Sequence, residues 1–364
     1  MKKITRRTVL RASGLAAASL ALSGCAPTGS ACVGNGFSDW LKQTFGKDSA
    51  ASSESAEAAA PDAGTPDAGA ASELPAESAD TSLPAYNADP LTGEPRRSNG
   101  RIVGVMVNNI SNTQRQNARP QRGIGSADLL IESKVEGGIS RFCAVYYDAN
   151  AIPEVGPLRS GRDQFLQLLM SWQALYYHDG ESAPCTKFIN VYNYSGLNIG
   201  GKSYFNTPTH PHVAHRDSRG RNVAYEHTEF TSGAEIRKAA ANAGIGLQYP
   251  YESTFFRFAD YRTGAENKMS GAAAAKTINI VHSDSYKTTF SYNRWDHLYK
   301  MSMYSRAAGA FENTVDELTG KQLGFTNLLV CFAGIADYPG NSGGVQQVDY
   351  VSGGAAYFFA RGAV

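Results

Sequence analysis

"ADLLIESKVEGGISRFCAVYYD", from Ala127 to Asp148, sets two apolar runs on either side of the pair Gly137-Gly138. Glycine takes up positive φ without steric cost, so a glycine pair between two strand-like runs predicts a tight hairpin, with its second strand over 139–148. On that hairpin Glu132 or Glu136 comes to lie across from Arg141. Upstream, "RIVGVMVNN" (101–109) is a valine-rich candidate for a buried strand, and Pro120 and Gly123 close the polar loop after it to helix. Downstream, "SGRDQFLQLLMSWQAL" (160–175) repeats Phe165, Leu168, Leu169 and Trp172 at helical spacing. Ser160 is the expected cap, with Asp163 near the positive end of the helix dipole. "ALYYHDG" (174–180) reads as a short strand ending at His178 and Asp179. Ser232 and Glu235 form a capping-box pattern that opens another helix, and Gly244 offers its stop.

From about Thr254 the texture changes. "TFFRFA", "KTINIVHS", "TTFSYNRWDHLYKMSMY", "FTNLLVCFAG", "QQVDYV" and "AAYFFA" alternate apolar and polar residues between turn signals, as strands of an antiparallel sheet do. The expected class is therefore α+β: a mixed α/β lobe over 87–250, followed by a mostly antiparallel β lobe over 251–364.

The first 24 residues have a basic start, an apolar stretch from Gly14 to Leu22 and small residues before Cys25, the layout of an export signal. The apolar stretch is shorter than the roughly 20 residues needed to span a bilayer. "LSGC" (22–25) resembles a bacterial lipobox, which makes Cys25 the lipidated residue and the membrane tether on the extracytoplasmic face. "TRRTVLR" (5–11) also resembles a twin-arginine signal, although paired arginines occur in ordinary secretory signals too. From Lys47 to Ala85 the chain carries eight acids and one lysine among Ala, Ser, Pro and Gly; residues 25–86 are expected to form an extended, disordered tether.

The net charge of +1 includes Lys2, Lys3, Arg6, Arg7 and Arg11, with no acid in the same segment, so the remainder carries −4. Without a basic field or a basic-aromatic run, nucleic-acid binding is not expected. The cysteines Cys25, Cys32, Cys143, Cys185 and Cys331 lack metal-ligand spacing, and no cofactor is indicated. Cys143 and Cys185 stand as either a disulfide or two free buried thiols. "HPHVAHRD" (210–217) brings three histidines close in sequence, but with Pro211 among them and only Asp217 as a nearby carboxylate, no metal site is assigned.

The charged residues around the hairpin and its downstream turns carry the functional expectation. Arg119, Arg141, Arg159, Arg162 and Arg216, with Glu132, Glu136, His178, Asp179, Asp217 and His227, are candidates to line a cleft. Guanidinium forks there match carboxylate or phosphate ligands. The competing reading is that these charges pair with one another and with loop carbonyls to fix loop geometry. The first reading gives a binding protein for a cell-wall component or an envelope protein partner. The alternative is a hydrolase or transferase acting on peptidoglycan or another surface polymer, with Glu132 or Glu136 as acid or base. A nucleophilic mechanism lacks support: there is no G-x-S-x-G elbow, Cys143 lies in an apolar strand pattern, and Cys185 follows a proline.

"NADPLTGEP" (87–95), "ARPQRGIGSADLLIESKVEGGISRF" (118–142), "EVGPLRSGRDQFLQL" (154–168) and "EHTEFTSGAEI" (226–236) resemble the YerB-like bacterial lipoproteins, a two-part family of unknown function. "SYNRWDHLYKMSMYSRA" and "DELTGKQLGFTNLLV" extend the resemblance into the second lobe. At "EHTEF" Thr228 and Glu229 occupy the middle positions of a family His-Asn-Leu-Tyr pattern. The resemblance implies an envelope location without implying a reaction. It also implies further turn-and-strand sequence after the last strand, so the final sheet is expected to be incomplete at Val364.

Overall fold

The computed structural model describes residues 88–201, 210–249, 256, 258, 271–340 and 343–364. The export signal, Cys25, the tether and most of the "TFFRFA" strand candidate lie outside the described residues.

Strand β1 (Val103–Val107) forms where the valine-rich run predicted, and all five of its residues are buried. The run is apolar on both faces because both are covered. Val103, Val105 and Val107 belong to one core, while Ile102 and Met106 belong to another on the opposite face. The hairpin is present as β2 (Leu129–Lys134) and β3 (Ser140–Tyr146), antiparallel, with both turn glycines at positive φ. β4 (Leu175–Tyr177) and β5 (Asn198–Ile199) extend the sheet on the other side of β1 in parallel, giving the order β2-β3-β1-β4-β5.

Helix α1 (Asp163–Leu169) starts later than the sequence predicts: Arg162, not Ser160, is its cap residue, and no side chain caps it. The carbonyls of Ser160 and Gly161 are taken by arginine side chains, and Gly161 bridges to Glu181, so this stretch is held extended. A helix absent from the sequence reading, α2 (Ala183–Val191), is capped by Ser182, which accepts from the Cys185 amide. Helix α3 (Gly233–Asn242) begins as expected at Ser232, which accepts from the Glu235 amide, and Gly244 beyond its end has φ +69°. α1 and α2 cover the Met106 face, whereas α3 covers the Val105 face.

The second lobe is strand-rich. β8 (Thr277–Ser283), β9 (Tyr286–Asn293) and β10 (Leu298–Ser305) form an antiparallel meander. In β10 the alternation is strict: Tyr299, Met301, Met303 and Ser305 point inward, and Lys300, Ser302 and Tyr304 less so. Ile278, Phe290, Tyr299, Met301 and Met303 join the same core as Val105 and α3, so the two lobes share apolar packing. β11 (Asn327–Cys331) pairs with β14 (Ala356–Ala360), and β12 (Gly334–Asp337) with β13 (Gln346–Asp349). Cys143, Cys185 and Cys331 are free thiols, so the Cys143–Cys185 disulfide alternative is not realised. Burial pushes the Cys143 and Cys185 thiols up, which leaves them unreactive. No helix among the described residues is long and apolar enough to cross a membrane.

Candidate ligand-binding site

The sequence-predicted charges divide into two groups by depth. The inner group sits under the hairpin. Arg141 is 2% exposed, donates to the Ser160 carbonyl at 2.6 Å and pairs with Glu136 at 3.3 Å. Arg162 grips the same carboxylate with two N–H groups, one of them at 3.0 Å, and donates to the Gly161 carbonyl at 2.7 Å. Burial alone would raise Glu136, but Arg162 and Arg141 hold it down at about 2. It is therefore a fixed anion between two buried cations and does not exchange protons near neutral pH.

Glu132 is equally committed. It accepts from Ser140 Oγ at 2.6 Å and from Thr288 Oγ1 at 3.0 Å, and lies 3.3 Å from His282 of β8. Against the effect of its burial, His282 and the two hydroxyls keep it below the usual carboxylate range. Arg119 donates to Asn109 Oδ1 at 3.0 Å and to the Tyr304 carbonyl at 2.9 Å. Glu132 and Arg119 thus tie the hairpin and the loop after β1 to the second lobe. The acid-base role expected of Glu132 or Glu136 thus meets an obstacle: both carboxylates are held as anions by the partners that surround them.

Two of the predicted histidines are also internal. His227 accepts from Asn108 Nδ2 at 3.0 Å and donates to Gln116 Oε1 at 2.8 Å; burial lowers its pKa and keeps it neutral. His178 faces the Gly180 carbonyl and Asn198 Oδ1, each at 2.7 Å, and burial takes it down to about 4. Glu181, beyond Asn198, is raised by burial and accepts from Thr186 Oγ1 at 2.6 Å and Asn198 Nδ2 at 3.2 Å.

The outer group gathers where β1, β4 and β5 end. Arg159 pairs with Glu226 at 2.9 Å, and their side chains are 32% and 38% exposed. The Asp179 amide donates to the Arg159 carbonyl, which places these two residues side by side. β6 (His215–Arg216) and β7 (Glu229–Phe230) form a short antiparallel ladder next to them. Arg216 stacks 3.7 Å above the Tyr225 ring, donates to the Tyr225 carbonyl at 2.8 Å and bonds Glu229 at 3.0 Å. His212 Nε2 lies 2.9 Å from Glu229 and 3.8 Å from Asp179. The ligating oxygens of the two carboxyls lie within 4.8 Å of each other. Burial and the adjacent Glu229 raise Asp179, whereas Glu229, against its own burial, is held low by His212, Asp179 and Arg216.

The sequence reading met His212 in the histidine run 210–215 and Glu229 in the 226–230 pattern, but placed neither in the cleft with Asp179. They lie far from Asp179 along the chain, and only the parallel strand ends and the β6–β7 ladder bring the three together. One local signal was available in Gly200-Gly201. A Cβ on Gly200 would come 1.9 Å from His178 Cε1, and one on Gly201, which also has φ +70°, would come 2.4 Å from His212 Nδ1. Each glycine lets an imidazole lie against the backbone. Asp217 belongs to a neighbouring network, 2.7 Å from Arg122, which also pairs with Glu154 and with Glu317 of the second lobe.

An α/β lobe with charged residues at its parallel strand ends, joined to an antiparallel β lobe, defines a two-lobed α+β protein with a polar rim on the first lobe. The chain belongs to the DUF3048 family: the model described as "Protein of unknown function (DUF3048) N-terminal domain" matches residues 91–246 and that described as its C-terminal domain matches 277–364. The relative named "Putative lipoprotein YerB" of Bacillus subtilis (strain 168) is 28% identical over 286 residues, covering 76% of this chain and 75% of the relative. The crystal structure of the B. subtilis YerB protein superposes with a TM-score of 0.59 at 23% identity, over 77% of this chain and 86% of that one, and shares the fold.

Proposed function

We propose that this protein is tethered to the outer face of the membrane through lipidated Cys25 and binds an anionic group of a cell-wall polymer at the strand-end rim of its first lobe. One observation carries the reading: of the five candidate arginines, Arg159 and Arg216 keep about a third of their side chains exposed, each with a single carboxylate partner. Arg119, Arg141 and Arg162 are committed internally. The rim also lies at the carboxyl ends of parallel strands β1, β4 and β5, on the side of the sheet where the chain order reverses, a position where open α/β sheets commonly receive ligands. An incoming phosphate or carboxylate exchanges with Glu226 and Glu229 for the same forks, so recognition costs little rearrangement.

The tether reading is supported by the lipobox-like "LSGC" and by the lipoprotein description of the relative. Sedimentation with purified sacculi tests the wall reading. The wild-type chain is expected to co-sediment, and Arg159→Ala with Arg216→Ala to weaken this by about tenfold or more, equivalent to about 1.4 kcal/mol, with unchanged thermal stability. Full-strength binding by the double variant, or no binding by the wild type, overturns it. In the second case a protein partner becomes the next candidate.

A further inference from the structure

We propose that Asp179, His212 and Glu229 form a binding site for a divalent transition metal of the zinc type. Among the described residues, these are the three whose metal-ligating atoms all lie within 4.8 Å of one another. They come from three separate segments: the end of β4, the stretch leading into β6, and β7. The cluster is thus a product of the fold and not of a flexible acidic loop.

The geometry points one nitrogen at two oxygens. His212 Nε2 faces Glu229 Oε1 at 2.9 Å and Asp179 Oδ1 at 3.8 Å. Its ring is held from behind by the Gly201 backbone and from the side by the edge-on Tyr177 ring, whose centroid is 6.5 Å away. His212 Nδ1 is buried with no hydrogen-bond partner among the described residues, so the ring is positioned by packing, with Nε2 as the atom that reaches the acids.

Two carboxyls whose oxygens lie within 4.8 Å of each other beside one imidazole are stabilised together by a cation between them. A dication does this for both at once, while Arg216 bonds Glu229 from the outside at 3.0 Å. Zinc takes imidazole nitrogen and carboxylate oxygen as ligands, and three protein ligands leave a further position to water or ligand. Calcium and magnesium prefer six or more oxygens and are poorly served by three protein ligands, one of them nitrogen. Among the described residues no thiol joins the cluster to draw it toward copper(I) or iron-sulfur chemistry. Metal binding at Glu229 also loosens its hold on Arg216 and leaves that fork free for an external anion. The metal site stands independently of the wall-binding reading, because the metal alone is its probe.

Calorimetric titration of the metal-stripped, folded chain with zinc chloride tests the proposal, with manganese and calcium chlorides as comparison. One equivalent of zinc is expected to bind in preference to manganese, and calcium not to compete. Asp179→Asn, His212→Ala and Glu229→Gln are each expected to weaken zinc binding at least tenfold, whereas His210→Ala and His215→Ala retain it. Because Glu229→Gln also alters the Arg216 contact, circular dichroism of each variant confirms that the fold is kept, and Asp179→Asn provides a second test on a residue that Arg216 does not bond. Binding that is unsaturable, or that survives unchanged in both His212→Ala and Asp179→Asn, shows an ordinary carboxylate–histidine cluster and overturns the assignment.

Discussion

The Glu136 cluster and the Asp179 rim are built from the same residue types, arginine and carboxylate with a histidine nearby, yet they are suited to opposite tasks. Under the hairpin, one glutamate is shared by two guanidiniums whose remaining donors are spent on the Ser160 and Gly161 carbonyls. At the rim, Arg159 and Arg216 each keep about a third of the side chain exposed and each hold one acid, and Arg216's partner, the buried Glu229, lies with Asp179 beside the His212 imidazole. Depth decides the difference. Buried ions are expensive to separate, so the inner cluster locks its loops; half-exposed ions exchange partners at little cost, so the outer one can admit a ligand.

Substitutions at the two places should therefore differ most in stability. Glu136→Ala strands Arg141 and Arg162 without their anion, and chemical denaturation is expected to record a loss of about 3–5 kcal/mol. A loss below about 1 kcal/mol would erase the distinction drawn here. The same contact predicts a pH signature. Because Glu136 is lowered in the folded chain from its ordinary 4.5 to about 2, its contribution is complete above pH 4.5 and disappears as the pH falls toward 2. That window is worth about 3 kcal/mol, and Glu136→Gln should flatten that part of the stability profile.

Glu132→Ala is expected to cost less, about 1–3 kcal/mol, since it leaves two hydroxyls unpaired while His282 can shed its proton. Limited proteolysis should then find the second lobe more readily cleaved, because Thr288 and His282 belong to it. The smallest effect belongs to the rim: Arg159→Ala should shift stability by no more than about 0.5 kcal/mol while reducing wall binding. A large stability loss there would make the rim a second structural cluster.

The sequence made the hairpin legible because Gly137-Gly138 punctuates two runs of matching character, and the α3 cap because Ser232 and Glu235 are local partners. The same locality explains the failures. Ser160 resembles a helix cap until Arg141, 19 residues away, claims the carbonyl at 160 and Arg162 turns back onto the one at 161. α2 opens with Ser182 followed by Pro184, a recognisable start, but its few apolar residues and Cys185 beside the proline obscured the periodicity. The sequence named Arg159, His178, Asp179 and Arg216 as one constellation, yet it could not rank their depth. His178 turned inward against Asn198, while Asp179, the next residue, turned to the rim. A single step along the chain past β4 separates a buried neutral ring from a surface carboxyl, and pattern alone does not reveal which partner waits at each side.

Amide hydrogen exchange with and without a soluble mixture of wall muropeptides addresses the contact face most directly. Ligand-dependent protection is predicted at 157–161, 178–180, 210–217 and 225–230, with 132–141 unchanged because it is already slow. Protection confined to the second lobe, or equal across both charge clusters, would contradict the assignment of the strand-end rim as the binding surface.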